Sequence, residues 1–156
     1  MNTKRRTFLK GAGAAGTVAV AVAAGLLKPT DVLAAEWNKA AFDAKGVPDA
    51  LKVLNATGAA DSKDITIKAP DIAENGSVVP VEITSKIAGT TSIALLVEKN
   101  AAPLSANFEL TNGAEGYVST RIKMGQTSNV RAMVKAGGKF YTAVKEVKVT
   151  IGGCGG

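Results

Sequence analysis

From residue 64 onward, apolar residues gather in short strand-like runs, most of them separated by turn residues, a pattern that predicts a succession of β-strands. The runs cover residues 64–68, 78–85, 92–98, 105–110, 116–123, 129–135 and 139–151. Turn signals fall between them at Asn75-Gly76, Asn112-Gly113 and Gly137-Gly138, the last placed for a two-residue hairpin. Many short strands at this spacing predict a mainly β protein, an immunoglobulin-like antiparallel β-sandwich. The preceding stretch, 36–55, has helical periodicity instead, with Trp37, Ala40, Ala41, Val47, Leu51 and Leu54 as its apolar face. Gly46-Val47-Pro48 should divide it into two short helices. Residues 58–63 read as a loop. The expected organisation is a helical segment over 35–60, a sandwich over 61–151 and a tail over 152–156.

The last strand carries two apolar sets of opposite parity: Phe140, Thr142 and Val144, then Val147, Val149 and Ile151. Residues on one face are separated by even steps, so a bulge near Lys145-Glu146 is expected to bring both sets to one side. Beyond it, Glu146, Lys148 and Thr150 should face water while Val147, Val149 and Ile151 anchor the strand. Then the pattern stops. Gly152-Gly153-Cys154-Gly155-Gly156 has no side chain except that of the only cysteine. Glycine ranges over most of φ/ψ space, so the segment is expected to be a thin, flexible arm, reaching about 10 Å from Ile151 to Cys154. That suits presenting a sulfur atom to another protein's active site and suits packing poorly.

The start of the chain bears on where that thiol works. Lys4-Arg5-Arg6-Thr7-Phe8-Leu9-Lys10 matches a twin-arginine export signal, followed by a Gly/Ala/Val stretch over 11–27 and small residues at Val32-Leu33-Ala34 for cleavage. The stretch is too short and too rich in glycine and alanine for a spanning anchor, so residues 1–34 are expected to be a removed leader carrying folded cargo to the periplasm. The leader holds five cations, Lys4, Arg5, Arg6, Lys10 and Lys28, against Asp31, which is +4 of the chain's +6. The remaining +2 shows no basic patch interleaved with aromatics, so nucleic acid is not an expected partner, and neither is a membrane after processing. A single cysteine in an oxidising compartment signals intermolecular pairing or a reactive thiol.

Several chemistries are missing. The chain has no histidine, which removes Ser-His-Asp and Cys-His pairs, imidazole metal sites and the commonest general base. One cysteine leaves no Cys-x-x-Cys motif, and no glycine-rich phosphate loop precedes a helix outside the leader. Asp61 with Asp64, or Glu74 with Glu82, could pair in space, but solvated loop charges account for them. No metal and no cofactor is expected, and the chain does not read as an enzyme. Because folded-protein export usually serves cofactor loading, its use here points instead to assembly with a second subunit before export.

These residues together resemble the SoxY family, the sulfur-carrier subunits of the thiosulfate-oxidising system. The resemblance rests on the leader, on Ala69-Pro-Asp-Ile-Ala-Glu-Asn-Gly76, on Val97-Glu-Lys-Asn100 and on Val118-Ser-Thr-Arg-Ile-Lys-Met124. It ends in Lys145-Glu-Val-Lys-Val-Thr-Ile-Gly-Gly-Cys-Gly-Gly156. It implies that Cys154 is the covalent attachment site for sulfur intermediates and that a SoxZ-type subunit completes a heterodimer. It also implies a haem-containing c-type cytochrome that couples thiosulfate to the thiol, a thiosulfohydrolase and, in some systems, a sulfur dehydrogenase. Two other readings of the tail are a staple, in which Cys154 links two sandwiches as a disulfide dimer, and a ubiquitin-like thiocarboxylate at Gly156. The second needs cytosolic activation, against the export signal.

Overall fold

The computed structural model describes residues 38–111 and 113–150. The expected leader with Arg5 and Arg6, Trp37, Asn112, Ile151 and the segment 152–156 lie outside the described residues. Helices α1 (Lys39–Asp43) and α2 (Val47–Val53) come first, divided as the Gly46-Val47-Pro48 signal predicts. Asn38 starts α1, its Oδ1 accepting from the Ala41 N–H at 3.2 Å and so satisfying a donor that the first turn leaves open. At the end of α2, Asn55 turns to φ 56°. The Asn55 N–H then meets the Lys52 carbonyl at 3.0 Å and the Ala56 N–H the Leu51 carbonyl at 2.8 Å, closing the last turn as a Schellman motif.

Among the described residues nine strands follow: β1 (Ala60–Asp61), β2 (Ile65–Lys68), β3 (Ile72–Ala73), β4 (Val79–Ser85), β5 (Thr90–Val97), β6 (Leu104–Glu109), β7 (Tyr117–Ile122), β8 (Ser128–Ala136) and β9 (Lys139–Val149). Seven match the predicted runs to within two residues where their ends are described. One sheet has the order β1-β9-β8-β5-β6, with β3 also on β9; the other is β2-β4-β7. Val79, Val81 and Ile83 of β4 meet Ile93, Leu95 and Val97 of β5 and Val130, Ala132 and Val134 of β8 in one buried cluster between the sheets. This is the expected sandwich. Fully burying each such side chain contributes about 1.5–3 kcal/mol. Gly137 and Gly138, at φ 55° and 75°, turn β8 into β9 in the two residues between the Ala136 and Lys139 partners. Both positive values suit a hairpin turn whose twist matches that of the strands.

The larger sheet is covered on both faces. Its outer side packs Ala94, Leu96, Leu104, Met133 and Phe140 against Ala41, Ala44, Ala50 and Ala56 of the helical segment. Residues 92–97 of β5 are accordingly buried without alternation. The two parities of β9 therefore belong to two covered faces. Tyr141, Ala143, Val147 and Val149 turn inward to the sandwich, Phe140 turns outward to the helices, and β9 pairs with β8 from Lys139 to Val147 with no register shift. There is no bulge at Lys145-Glu146. The shift occurs in β6 instead, where Ser105 is the extra residue between the Leu95↔Ala106 and Leu96↔Leu104 pairs. It lets Leu104 join the helical layer while Ala106 and Phe108 stay in the sandwich core. On the helical face Ala44, Ala50 and Ala56 are buried, whereas Ala40, expected inside, is exposed.

The sheet is also not purely antiparallel. β1, within the stretch expected to be loop, and β3 pair parallel to β9, Ala60–Asp61 beside Tyr141–Thr142 and Ile72–Ala73 beside Lys148–Val149. Two-residue strands carry no alternation to detect.

Candidate functional site: the root of the cysteine segment

Cys154 and its glycines follow β9 by a few residues, so the functional question the described chain can answer is how β9 ends. It ends tied on two sides. On one side, the strap Ala69–Gly76 runs along the strand: the Lys148 N–H donates to the Asp71 carbonyl at 3.0 Å and the Thr150 N–H to the Ala73 carbonyl at 3.1 Å. The Thr150 Oγ1 adds a bond to the Glu74 carbonyl at 3.1 Å. On the other side, the Val149 N–H donates to Thr127 Oγ1 at 2.9 Å. Beneath, Val147 is fully buried. A strand end normally frays, because its last amides lose partners to water; here Lys148, Val149 and Thr150 each have one.

Lys145 explains how the strap is held. It occupies an inward position of β9 between Ala143 and Val147, where an apolar residue would be expected. Its Nζ donates to the Ala69 carbonyl at 2.6 Å and lies 3.0 Å from Asp71 Oδ1. Asp71 is largely solvent-exposed, so that ion pair contributes little. The charge-assisted bond to the carbonyl, from a side chain that is 30% exposed, is the stronger tie.

The neighbouring loops lock to the same end. Asn100 bridges two backbone groups of the turn after β7, its Nδ2 donating to the Lys123 carbonyl at 2.7 Å and its Oδ1 accepting from the Gly125 N–H at 3.1 Å. The Met124 N–H donates to the Gly76 carbonyl at 2.7 Å, and the Met124 side chain is fully buried. The Lys99 N–H donates to Ser128 Oγ at 3.0 Å. At the edge of this group Arg131 donates through Nη2 and Nε to Glu98 Oε1 at 2.7 and 3.0 Å, and Asn129 Nδ2 donates to Glu98 Oε2 at 3.0 Å. Burial pushes the Glu98 carboxyl up, but the Asn129 and Arg131 hydrogen bonds and the Arg131 charge outweigh it and hold the group below its ordinary value. The segments 69–76, 97–100 and 145–150 and the turn after β7 at 123–125, which lie far apart in sequence, thus converge on one end of the sandwich.

The carboxylates that could pair in space form no site, in keeping with solvated loop charges. Asp61 and Asp64 are exposed, Glu74 is exposed on the strap, and Glu82 faces Lys68 across β2 and β4 with an ion pair at 3.7 Å. Among the described residues no group of three His, Cys, Asp or Glu side chains could hold a metal ion. Sequence reasoning missed the strap, Thr127 and Lys145. The one local signal for them was a lysine at a position whose neighbours two residues either way turn inward.

Fold and root together describe a β-sandwich whose last strand is fastened immediately before a Gly-Gly-Cys-Gly-Gly segment. The model of the family described as sulfur oxidation protein SoxY matches residues 51–154. The chain belongs to the SoxY family. It is similar to the sulfur carrier protein SoxY from Chlorobium limicola f thiosulfatophilum, with 40% identity, a TM-score of 0.58, and coverage of 67% of this chain and 96% of that one. A weaker likeness, to a chain of a structure described as the structural basis of T cell specificity and activation by the bacterial superantigen toxic shock syndrome toxin-1, has 10% identity and a TM-score of 0.40 over 55% of this chain and 98% of that one, and carries no argument. No curated protein sequence matches the chain.

Proposed function

We propose that this chain is a periplasmic carrier, exported folded by the twin-arginine route, that holds sulfur intermediates of thiosulfate oxidation on Cys154 and presents them to partner enzymes. The observation that carries the reading is the contrast at Thr150: every amide from Lys148 to Thr150 is tied down, and four residues later comes a thiol flanked only by glycine. Membership of the SoxY family supports it, as does the description of the similar Chlorobium protein as a sulfur carrier.

The chemistry balances. A haem-containing coupling enzyme removes two electrons as the Cys154 thiolate and thiosulfate join through a new S–S bond, giving a cysteine S-thiosulfonate. A hydrolase then adds water across the bond to the terminal sulfonate, releasing sulfate and two protons and leaving a persulfide on Cys154. Where a sulfur dehydrogenase is present, it oxidises that outer sulfur before a further hydrolysis. The carrier contributes no acid, base or metal. It keeps the intermediate covalently bound, so each enzyme meets it at raised effective concentration. Gly152, Gly153, Gly155 and Gly156 carry no side chain to obstruct entry to a narrow channel. A SoxZ-type companion subunit would travel with the chain as a heterodimer.

The test is thiosulfate-dependent cytochrome reduction in a system reconstituted with the partner enzymes. Cys154→Ser should abolish turnover while leaving the melting temperature and companion binding unchanged. Substantial residual turnover overturns the carrier reading, and a disulfide dimer whose formation accounts for all function of Cys154 would replace it with the structural staple.

A further inference from the structure

The geometry points to a single docking surface around the root, on the strap, on Val78 just beyond it and on the loops beside it, that every partner enzyme must contact through an apolar rim at the mouth of its active-site channel. This inference rests on the carrier reading above and adds the place and chemistry of the contact.

Reach makes the contact unavoidable. Thr150 is fixed by its bonds to Ala73 and Glu74. From there to Cys154 four residues extend at most about 14 Å. An enzyme that brings its reacting atoms to the Cys154 sulfur must therefore bring the edge of its channel within that distance of Thr150, and a channel of any depth places its rim on the surface surrounding the root.

That surface has the composition of an interface. Five large apolar residues of the described chain are prominently exposed: Val53, Ile72, Val78, Tyr117 and Val144. Two of the five, Ile72 on the strap at 57% and Val78 two residues beyond it at 54% exposure, are the most exposed of the set. Ile72 pairs beside Lys148 and precedes Ala73, whose carbonyl holds Thr150. Val78 closes the Asn75 turn, its N–H donating to the Asn75 carbonyl at 3.4 Å. Neither is an accident of a frayed end, since the strap is bonded along its length to β9 and, through Gly76, to Met124.

The charges around them are of both signs, and the lysines are the unpaired cations. Lys99 and Lys123 lie on the two loops that Asn100 joins, and Lys148 lies on the outward side of β9; all three are exposed and have no ion-pair partner among the described residues. Glu74 and Glu146 are interspersed with them, and Asp71 on the strap is paired with Lys145. A rim that is apolar at its inner edge, with polar groups of both signs outside it, complements this arrangement. Exposed lysines of this kind act mainly on the rate of encounter and its salt dependence, and the apolar contact mainly on residence.

The experiment uses the full carrier with its companion subunit and the purified thiosulfate-coupling enzyme. It measures the carrier concentration giving half-maximal turnover, and the rate at which Cys154 reacts with a small disulfide reagent in the absence of the enzyme. The Ile72→Asp/Val78→Asp double variant should raise the half-saturating concentration about tenfold or more, as expected for loss of central apolar contacts. The reagent rate should stay within about twofold, since the thiol itself is untouched. Val53→Asp, on α2, is the control and should behave as wild type. Ile72→Ser/Val78→Ser, gentler on the strap, should move half-saturation in the same direction. Unchanged half-saturation in both double variants overturns the inference while leaving the carrier reading intact. Loss of the companion subunit from the double variants on size-exclusion chromatography also overturns it, by assigning the surface to that subunit. Failure of the carrier reading would appear separately, as turnover that survives Cys154→Ser.

Discussion

The two ends of β9 are fastened in opposite ways. At its start, Lys139 follows Gly137-Gly138, and a two-residue turn brings the strand against β8, with β1 pairing beside Tyr141 and Thr142. Its finish is held differently. The strand is held there by bonds from residues distant in sequence: Asp71, Ala73 and Glu74 on one side and Thr127 on the other. A hairpin end costs little ordering entropy because the loop it closes is short, whereas contacts made over some 76 residues must recover a larger loop cost. An anchorage assembled from distant segments at the position where fraying would normally begin marks the place where the fold needs a fixed point. The thiol four residues beyond gives the reason.

Breaking the shared foundation should have the largest effect. Val147 is fully buried beneath the root, and Val147→Ala should destabilise the domain by about 2–3 kcal/mol, read by denaturant titration. It should also speed amide exchange at Lys148 and Thr150. Unchanged exchange there would mean that the root is not part of the cooperative core.

Glu98 sharpens the contrast through pH. Its carboxyl is held below the ordinary value near 4.5, so the group contributes stability that is fully present above that pH and is lost as pH falls through its lower folded-state value. Glu98→Gln should cost about 1.5–3 kcal/mol at neutral pH and flatten the acid limb of the stability curve below pH 4.5. A limb of unchanged slope would show that the Arg131 and Asn129 bonds do not bias protonation.

The hairpin and the root can then be separated directly. Gly138 has φ 75°, and Gly138→Ala should cost about 1–2 kcal/mol by forcing a Cβ into the left-handed region, with root exchange following only the global change. Thr127→Val removes one bond to Val149 and should cost about 0.5–1.5 kcal/mol, with exchange at Val149 rising beyond the global change. If both variants altered exchange at Val149 equally, the two ends of the strand would not be independent.

Most of the sandwich is legible in the sequence because alternation and turn residues are local signals: β4, β5, β7 and β8 fall close to their predicted runs, and Gly137-Gly138 turns where expected. The root is not legible, for the same reason. Ile72-Ala73 is too short to alternate, and its pairing with Lys148-Val149 depends on a parallel return across the sandwich that no local pattern encodes. The opposed parities of Phe140 and Val147 were visible, but parity cannot tell a bulge from a strand covered on both faces. Deciding that required knowing where α1 and α2 lie. Cys154 is the reverse case: its glycine setting and lack of any histidine partner are plain in the sequence, and what the structure adds is the anchored strand before it.

The most direct test of sulfur delivery from a fixed root is the intact mass of the carrier, recovered with its companion subunit after incubation with thiosulfate and the coupling enzyme. A mass gain of one S2O3 unit, assigned to Cys154 by fragmentation and absent from Cys154→Ser, is the expected result. Adding the hydrolase should then convert it to a gain of a single sulfur atom. A carrier that turns over thiosulfate while its mass remains that of the free thiol, or that gains the S2O3 unit at another residue, would contradict the account.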